Sequence, residues 1–288
     1  MRDQAERLRE RLQRNLGSKP TRIITVTSGK GGVGKSNFTL NFGLGLIERG
    51  QKVLIFDVDL GLANLDVLMG ITSRNHIFQL IEQKKSIWDI IEKGPNGLEF
   101  IAGGSGFTQV LQLDDQKLNR LFDQLSELQG YADTIFFDTG AGISNESMRF
   151  MLSADEILLV TTPEPTAITD AYAVIKMIHS RSPDAKIRMI INRASSYKEG
   201  KATADKLTMV AKRFLGIELE TLGFVPDDEN VMKAVKKQSP FLLEYPKSQA
   251  SKGIRDLVDK YLGVSLQTKD DGTTGLKGFL SRLKSMIK

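Results

Sequence analysis

A glycine-rich run near the amino terminus has the residue types and the spacing of a loop that binds phosphate. It consists of Gly29, Lys30, Gly31, Gly32, Val33, Gly34, Lys35 and Ser36, and it fits the pattern G-x-x-x-x-G-K-S. Glycines let backbone amides curl around phosphate oxygens, Lys35 can reach the β- and γ-phosphates, and the Ser36 hydroxyl can ligate Mg²⁺. A helix that begins at Lys35 would aim its N-terminal dipole at the same anion, with Asn37 among the nucleotide contacts. The run therefore predicts a nucleotide site.

Acidic side chains stand at the ends of two predicted strands. Asp57 and Asp59 close the second strand, and Asp138 closes the strand over residues 134–138. Ligands bind at the carboxyl ends of strands in open α/β sheets, so these carboxylates belong near the phosphates. Asp138 matches a carboxylate that holds Mg²⁺ through water. Of Asp57 and Asp59, one could interact with the metal shell and the other could position an attacking water.

The elements that must hold these residues alternate along the chain. Apolar strands are predicted over residues 22–28, 52–58, 98–102, 134–138, 156–161, 186–192 and 220–225. Helices are predicted over residues 35–49, 114–128, 166–179, 201–215, 230–237 and 248–262. Continuous apolar strands separated by helices indicate an α/β fold with a mostly parallel central sheet and helices on both faces. Together with the G-x-x-x-x-G-K-S run, this is the fold expected of a P-loop NTPase domain. We expect a domain over residues 21–264, a docking segment over 1–20, a linker over 265–275 and a separate helix over 276–288.

The charge of the chain is concentrated at its two ends. The net charge is +5; residues 1–20 carry +3 and residues 276–288 carry +4, so residues 21–275 sum to −2. A uniformly basic, DNA-coating body is therefore not expected, and neither is a nucleic-acid partner. The chain has no cysteine and two histidines, which excludes iron–sulfur clusters and thiolate sites and argues against a histidine-based metal site.

The glycine-rich run has an additional lysine, Lys30, ahead of Lys35, and with it the run resembles the signature of the MinD/ParA family of deviant Walker A ATPases. That resemblance implies ATP, ADP and Mg²⁺ as ligands, slow hydrolysis, and an ATP-dependent homodimer in which Lys30 reaches the partner's nucleotide. It also implies that Asp59 orients the water and that Asp57 lies close to the Mg²⁺ shell. The family usually has D-x-P-A-G after its second acidic strand, whereas this chain has Gly140 at the proline position. We expect that difference to loosen the second switch.

Two further runs bear on the base of the nucleotide. Asn192 and Arg193 follow a strand without the aspartate with which a GTPase pairs guanine, so the sequence favours ATP. The run Pro226, Asp227, Asp228 resembles the adenine-side loop of the family. The alternative for this run is a simple helix N-cap.

The last 13 residues form an amphipathic segment. Its apolar stripe consists of Leu276, Phe279, Leu280, Leu283 and Ile287, and its other face is basic. Such a helix suits an anionic membrane surface, and its position resembles the membrane-targeting sequence of the family. The alternative is a helix packed on the body. With a polar amino terminus and no apolar window long enough to span a bilayer, we expect a cytoplasmic bacterial protein that associates reversibly with the inner face of the membrane.

The amino terminus carries a short motif within its own amphipathic helix, predicted over residues 3–16. Asp3, Gln4, Ala5, Leu8 and Arg9 resemble the D-Q-A-x-x-L-R motif of the flagellar-number regulators FlhG, also called YlxH or FleN. The resemblance implies docking onto, and stimulation of, the signal-recognition-type GTPase FlhF, with flagellar basal-body (C-ring) proteins as further partners. A division-site MinD ATPase and, less favoured, a ParA-type DNA-partition ATPase remain the alternatives.

Overall fold

The computed structural model describes residues 21–59, 65–82, 84–103, 115–265 and 275–287. The predicted N-terminal helix and docking motif (residues 3–16) and the linker residues 266–274 lie outside the described residues, so these predictions stay untested.

A single eight-stranded sheet runs through the described part of the chain in the order β3-β4-β2-β5-β1-β6-β7-β8. The strands are β1 (Arg22–Thr27), β2 (Val53–Val58), β3 (Glu92–Lys93), β4 (Glu99–Ile101), β5 (Thr134–Thr139), β6 (Glu156–Thr161), β7 (Ile187–Ala194) and β8 (Glu220–Pro226). Every pair is parallel except β3 with β4. Because β2, β5 and β1 are parallel neighbours in this order, the loops that leave their carboxyl ends lie together at one end of the sheet.

Helices connect the strands. They are α1 (Lys35–Glu48), α2 (Leu65–Met69), α3 (Ile77–Ile81), α4 (Ile87–Ile90), α5 (Asp115–Ser126), α6 (Asn145–Ser153), α7 (Pro165–Arg181), α8 (Tyr197–Leu215), α9 (Glu229–Lys236), α10 (Phe241–Glu244), α11 (Gln249–Ser265) and α12 (Gly275–Ile287). Among them, none is long and apolar enough to cross a membrane.

The helices cover both faces of the sheet, as its buried strands require. On one face α1 and α11 lie so close together that a Cβ atom at Gly45 would come within 2.9 Å of Val258. Alternate residues of each strand supply the two faces, so Ile24 joins the core under α1 whereas Ile23 joins the core on the opposite face. The prediction of a mostly parallel α/β sheet with helices on both faces is confirmed.

The C-terminal helix α12 lies on the body, on the face opposite α1. Leu276, Phe279, Leu280 and Leu283 are all less than 8% exposed, and Ile287 packs against the same core. The ring of Phe279 stacks on those of Phe137 and Phe150, with centroids 4.6 and 6.3 Å apart. In this structure the apolar stripe is therefore covered by protein, which is the alternative left open above, and it is not presented to a membrane.

Polar contacts also hold α12 in place. The Asp155 carboxylate accepts hydrogen bonds from the backbone N–H of Gly275 at 3.0 Å and from Arg282 at 3.1 Å. It also accepts from the N–H of Ile23, at the start of β1. Arg282 donates twice more, to the carbonyl of Ser153. One partly buried carboxylate thus ties the first turn of α12 to the start of β1.

Candidate nucleotide-binding site

The glycine-rich run forms the turn between β1 and α1, as the sequence predicts. Gly32 and Gly34 have φ values of 80° and 89°, which side chains with a Cβ rarely adopt. Gly29 packs so closely that an added Cβ would lie 2.3 Å from the backbone of Asp170 in α7. The loop is therefore fixed by α1 behind it and by α7 beside it.

Lys35 and Asp138 form a buried ion pair at the base of this loop. Their Nζ and Oδ1 atoms are 2.9 Å apart, and the side chains are 7% and 1% exposed. Thr39, one helical turn beyond Lys35, also donates to Asp138 Oδ1 at 3.1 Å. The Lys35 ammonium lies 3.2 Å from the Ser36 hydroxyl oxygen as well. Three side chains of α1 and one carboxylate of β5 thus converge where the pattern places the terminal phosphates.

The oxygens at this point fit a magnesium ion. Asp138 Oδ2 is buried and has no hydrogen-bond partner in the described part of the chain, so it keeps its lone pairs for a ligand. The Ser36 hydroxyl, 3.2 Å from the Lys35 ammonium that contacts Asp138, supplies a second oxygen. No group of three or more His, Cys, Asp and Glu side chains forms a metal site among the described residues, so such an ion would need phosphate and water oxygens to complete its shell.

The two acids at the end of β2 have different surroundings. Asp57 is 2% exposed, and its carboxylate accepts hydrogen bonds from the backbone N–H groups of Asp59 and Leu65. Asp59 is partly exposed and lines the cavity of about 560 Å³ in front of the phosphate loop. A Cβ added at Gly140 would lie 3.3 Å from Asp59 Oδ1, so the Asp59 carboxylate lies directly over Gly140.

Lys30 projects from the loop toward the start of α7. Its Nζ atom lies 3.0 Å from Glu164 Oε2 and 2.9 Å from Thr166 Oγ1. The two charged side chains are 39% and 53% exposed, so the ion pair is open to solvent and weak. Lys30 is therefore held outside the phosphate cradle, on the surface that flanks it.

The residues predicted to contact the base meet in a separate cavity of about 320 Å³ next to the loop. It is lined by Gly34, Asn37, Phe38, Asn192, Arg193, Val225, Pro226, Asp227, Asp228, Glu229, Val231, Met232, Phe241 and Ile254. The Asn192 amide donates to the carbonyl of Val33 at 2.8 Å, which ties the end of β7 to the phosphate loop. Arg193 has φ 58°, and its guanidinium lies 3.6 Å from the Asp227 carboxylate.

Asp228 acts in the structure as a helix cap, which is the alternative left open for its run. Its side chain accepts from the N–H of Asn230 in α9 and from that of Ala250 in α11. Burial opposes ionisation, yet these backbone donors prevail and lower the pKa of Asp228. The carboxylate thus joins two helices at the rim of the cavity.

Sequence reasoning missed Thr39 and the pairing of Lys30 with Glu164 and Thr166. Thr39 could have been found, because the fourth residue after Lys35 falls on the same face of a helix. Glu164 and Thr166 could not be paired with Lys30 from spacing alone, since more than 130 residues separate them.

A phosphate loop between the first strand and helix, a buried Lys–Asp pair behind it and a parallel sheet define a P-loop nucleoside triphosphatase. Residues 19–262 match the ParA family profile, whose description is "NUBPL iron-transfer P-loop NTPase". The chain belongs to the ParA/MinD family of P-loop NTPases.

The chain is also similar to individual members of this family. The chain is 38% identical to the antiactivator FleN of Pseudomonas aeruginosa, an alignment that covers 92% of this chain and 94% of FleN. It is 36% identical to the flagellum site-determining protein YlxH of Helicobacter pylori, over 91% of this chain and 90% of YlxH. Among solved structures, the septum site-determining protein MinD of Pyrococcus horikoshii, complexed with Mg-ADP, is 25% identical with a TM-score of 0.68, covering 87% of this chain and all of MinD.

Proposed function

We propose that this protein is an ATP-driven molecular switch that binds Mg-ATP, dimerises around it and hydrolyses it slowly. The buried Lys35–Asp138 pair carries the proposal. The Lys35 ammonium and the Asp138 carboxylate, 2.9 Å apart, neutralise each other. When nucleotide arrives, Lys35 can turn to the phosphates and free Asp138 for the magnesium shell. Bound Mg²⁺ would neutralise charge on the phosphates. Asp59, over Gly140, has the position from which a carboxylate could orient the attacking water.

The surface around the phosphate loop supports a dimer as the ATP-bound state. Val67, Met232 and Val235 are 51%, 63% and 40% exposed. Met232 lines the cavity on the base side, and Val67 and Val235 line the cavity in front of the phosphate loop. Exposed apolar side chains around a charged cleft are typical of a surface that a partner covers. Lys30 lies on this surface in a weak ion pair, from which it can reach a second subunit's phosphates at little cost.

Helix α12 is the element through which the proposed switch would control membrane binding. Its stripe binds either the body or a membrane, because the same apolar side chains cannot be covered by both. The basic side chains Lys277 and Lys284 lie outside the buried stripe and suit anionic lipid. Two tethered helices in a dimer bind a membrane more tightly than one. We therefore infer that ATP favours release of α12, which places the protein at the inner face of the bacterial membrane, and that hydrolysis returns it to the cytoplasm.

We assign the switch to control of flagellar number or placement. The similarity to FleN and YlxH over nine-tenths of the chain supports this role. The N-terminal motif suggests stimulation of an FlhF-like GTPase, with flagellar C-ring proteins as further partners. The alternative is division-site positioning, because MinD proteins share the fold and 31% identity is reached with MinD of Thermotoga maritima. A DNA-partition role is less favoured, since residues 21–275 sum to −2.

Two experiments test this assignment. Asp59→Ala with ATP should yield a stable dimer that sediments with anionic liposomes, and a monomer on a sizing column with ATP would contradict the dimer. Deleting residues 276–288 should abolish liposome binding, and retained binding would refute the membrane role of α12.

The flagellar assignment has its own test. A peptide of residues 1–20 should stimulate a signal-recognition-type GTPase, and a peptide with Gln4 and Arg9 changed to alanine is the matched control. Equal activity of the two peptides, or none, would favour the division-site alternative.

A further inference from the structure

The carboxylate of Asp57 reaches both ends of the loop that follows β2. Oδ1 accepts from the backbone N–H of Asp59 at 3.1 Å, and Oδ2 accepts from that of Leu65 at 3.3 Å. Each oxygen is thus engaged by a different end of the connection between β2 and α2. A carboxylate that bridges two backbone amides in this way fixes the distance between them.

Asp57 itself is held rigidly. Its side chain is 2% exposed, and β2 pairs with β5 so that Asp57 lies beside Asp138. On the other side, the backbone of Gly103 approaches the Asp57 carbonyl so closely that an added Cβ would lie 2.1 Å from it. Leu65 is equally fixed, because its side chain is buried in the core with Val33 and Phe38. The backbone amides of Asp59 and Leu65 are therefore joined through the Asp57 carboxylate, whose own position is fixed.

Asp138, on the neighbouring strand β5, differs from Asp57 in the hydrogen bonds that its carboxylate accepts. One oxygen of Asp138, Oδ2, is buried and has no hydrogen-bond partner within the described ranges, so it has free acceptor capacity for a hydrated metal. Both oxygens of Asp57 already accept hydrogen bonds from backbone N–H groups. The two neighbouring carboxylates thus have different surroundings, although their positions at the ends of adjacent strands are equivalent.

We propose that Asp57 is a positioning residue for hydrolysis, which holds the backbone amides of Asp59 and Leu65 so that the Asp59 carboxylate faces the phosphates, and that it does not serve as a magnesium ligand. This inference rests on the proposed ATPase activity and departs from the metal-shell role that the family resemblance implies. Asp59 then depends on Asp57 for its direction, because the Asp57–Asp59 hydrogen bond sets the first backbone turn after the strand.

The test is Asp57→Asn in the full-length protein, assayed over a magnesium titration. An amide keeps one acceptor oxygen, so it can hold only one of the two N–H groups. We expect kcat to fall by roughly 10- to 100-fold, the effect of misplacing a catalytic group by about 1 Å. The magnesium concentration for half-maximal activity and the affinity for a fluorescent ATP analogue should each stay within about twofold of the values for the unmodified protein. Loss of a metal ligand would change the magnesium requirement by more than this.

A structural readout accompanies the kinetics. Amide hydrogen exchange at residues 65–69 should become faster in Asp57→Asn, while that of the phosphate loop should not change. Asp66→Asn is the matched control, because Asp66 lies in the same segment and its carboxylate accepts a hydrogen bond from the adjacent N–H of Val67. Should Asp57→Asn fail to fold, the smaller Asp57→Ser provides the same measurements.

Several results would overturn the proposal. A tenfold higher magnesium requirement, with kcat restored by excess magnesium, would make Asp57 a metal ligand. An unchanged kcat, or an equal loss in Asp66→Asn, would remove its positioning role. If the unmodified protein neither binds nor hydrolyses ATP, the proposed function itself fails, which is a different outcome from any of these.

Discussion

Phe150 on α6 and Phe279 on α12 face each other across the contact that holds the C-terminal helix on the body. Both rings flank Phe137 of β5, with centroid distances of 5.3 and 4.6 Å. Phe150 is 4% exposed and Phe279 is fully buried. Truncating a buried phenylalanine to alanine costs about 3–5 kcal/mol. Phe150 also packs against residues other than α12 on the same face of the sheet, so we assign only about 1–2 kcal/mol of that cost to its contact with α12. This change would shift the equilibrium between docked and released α12 by roughly five- to thirtyfold toward the released helix.

The two substitutions should have opposite effects on membrane binding. Phe150→Ala leaves α12 itself unchanged but weakens its site on the body, so binding to anionic liposomes without ATP should tighten by roughly five- to thirtyfold. Phe279→Ala also releases the helix but removes a principal apolar anchor, so binding should weaken with and without ATP. Co-sedimentation with phosphatidylglycerol vesicles measures the affinity, and hydrogen exchange over residues 275–287 measures the release.

A matched control and a clear negative result accompany this prediction. Phe214→Ala makes the same substitution at a side chain that is 66% exposed on α8, and it should change neither measurement. If Phe150→Ala accelerates exchange of α12 but leaves liposome binding unchanged, the helix is a structural element of the body and the reasoning is wrong. Vesicles of neutral lipid should show little binding for any variant, since the basic face then has no anionic partner.

Further predictions concern the switch lysine and the Asp155 contacts. Lys30→Ala should keep nucleotide affinity within a few-fold but lose the ATP-dependent dimer, as sedimentation velocity would show; a retained dimer would contradict the role of Lys30. Arg282→Gln should lower the free energy of unfolding by about 1–3 kcal/mol, because the Ser153 carbonyl and the Asp155 carboxylate lose a charged donor; urea denaturation measures this change. Burial raises the pKa of Asp155 above 3.8, despite its hydrogen bonds from Ile23, Gly275 and Arg282. The folded state therefore keeps a proton that the unfolded chain has lost, so the free energy of unfolding should fall as pH rises from about 3.8 through the folded-state pKa, and Asp155→Asn should remove that slope.

The long strands and helices were predicted well from the sequence because each of them has a regular pattern of apolar residues along its length. Predicted strands at residues 134–138 and 156–161 appear as Thr134–Thr139 and Glu156–Thr161, and the predicted helix at 35–49 appears as Lys35–Glu48. Helix α8 begins at Tyr197, four residues before its prediction, because Ser196 caps it there. The short helices α2, α3, α4 and α10 and the two-residue strand β3 were missed, since four or five residues carry too little periodicity. Helix α6, of nine residues, was also missed.

Residue types and local spacing determined the chemistry of the phosphate loop, because a loop of eight consecutive residues folds largely on itself between one strand and one helix. They also determined which strands end in carboxylates. Only the tertiary structure decided how distant groups are paired: Lys35 with Asp138, Lys30 with Glu164, and Asp155 with the start of α12.

The C-terminal helix α12 shows the same difference between what the sequence determines and what the tertiary structure decides. An apolar stripe at helical spacing must be covered, and the sequence shows that need without saying whether lipid or protein meets it. The structure covers the stripe with Phe137 and Phe150, which come from a strand and a helix more than 120 residues away. Such contacts depend on the path of the whole chain, so no local pattern could have predicted them.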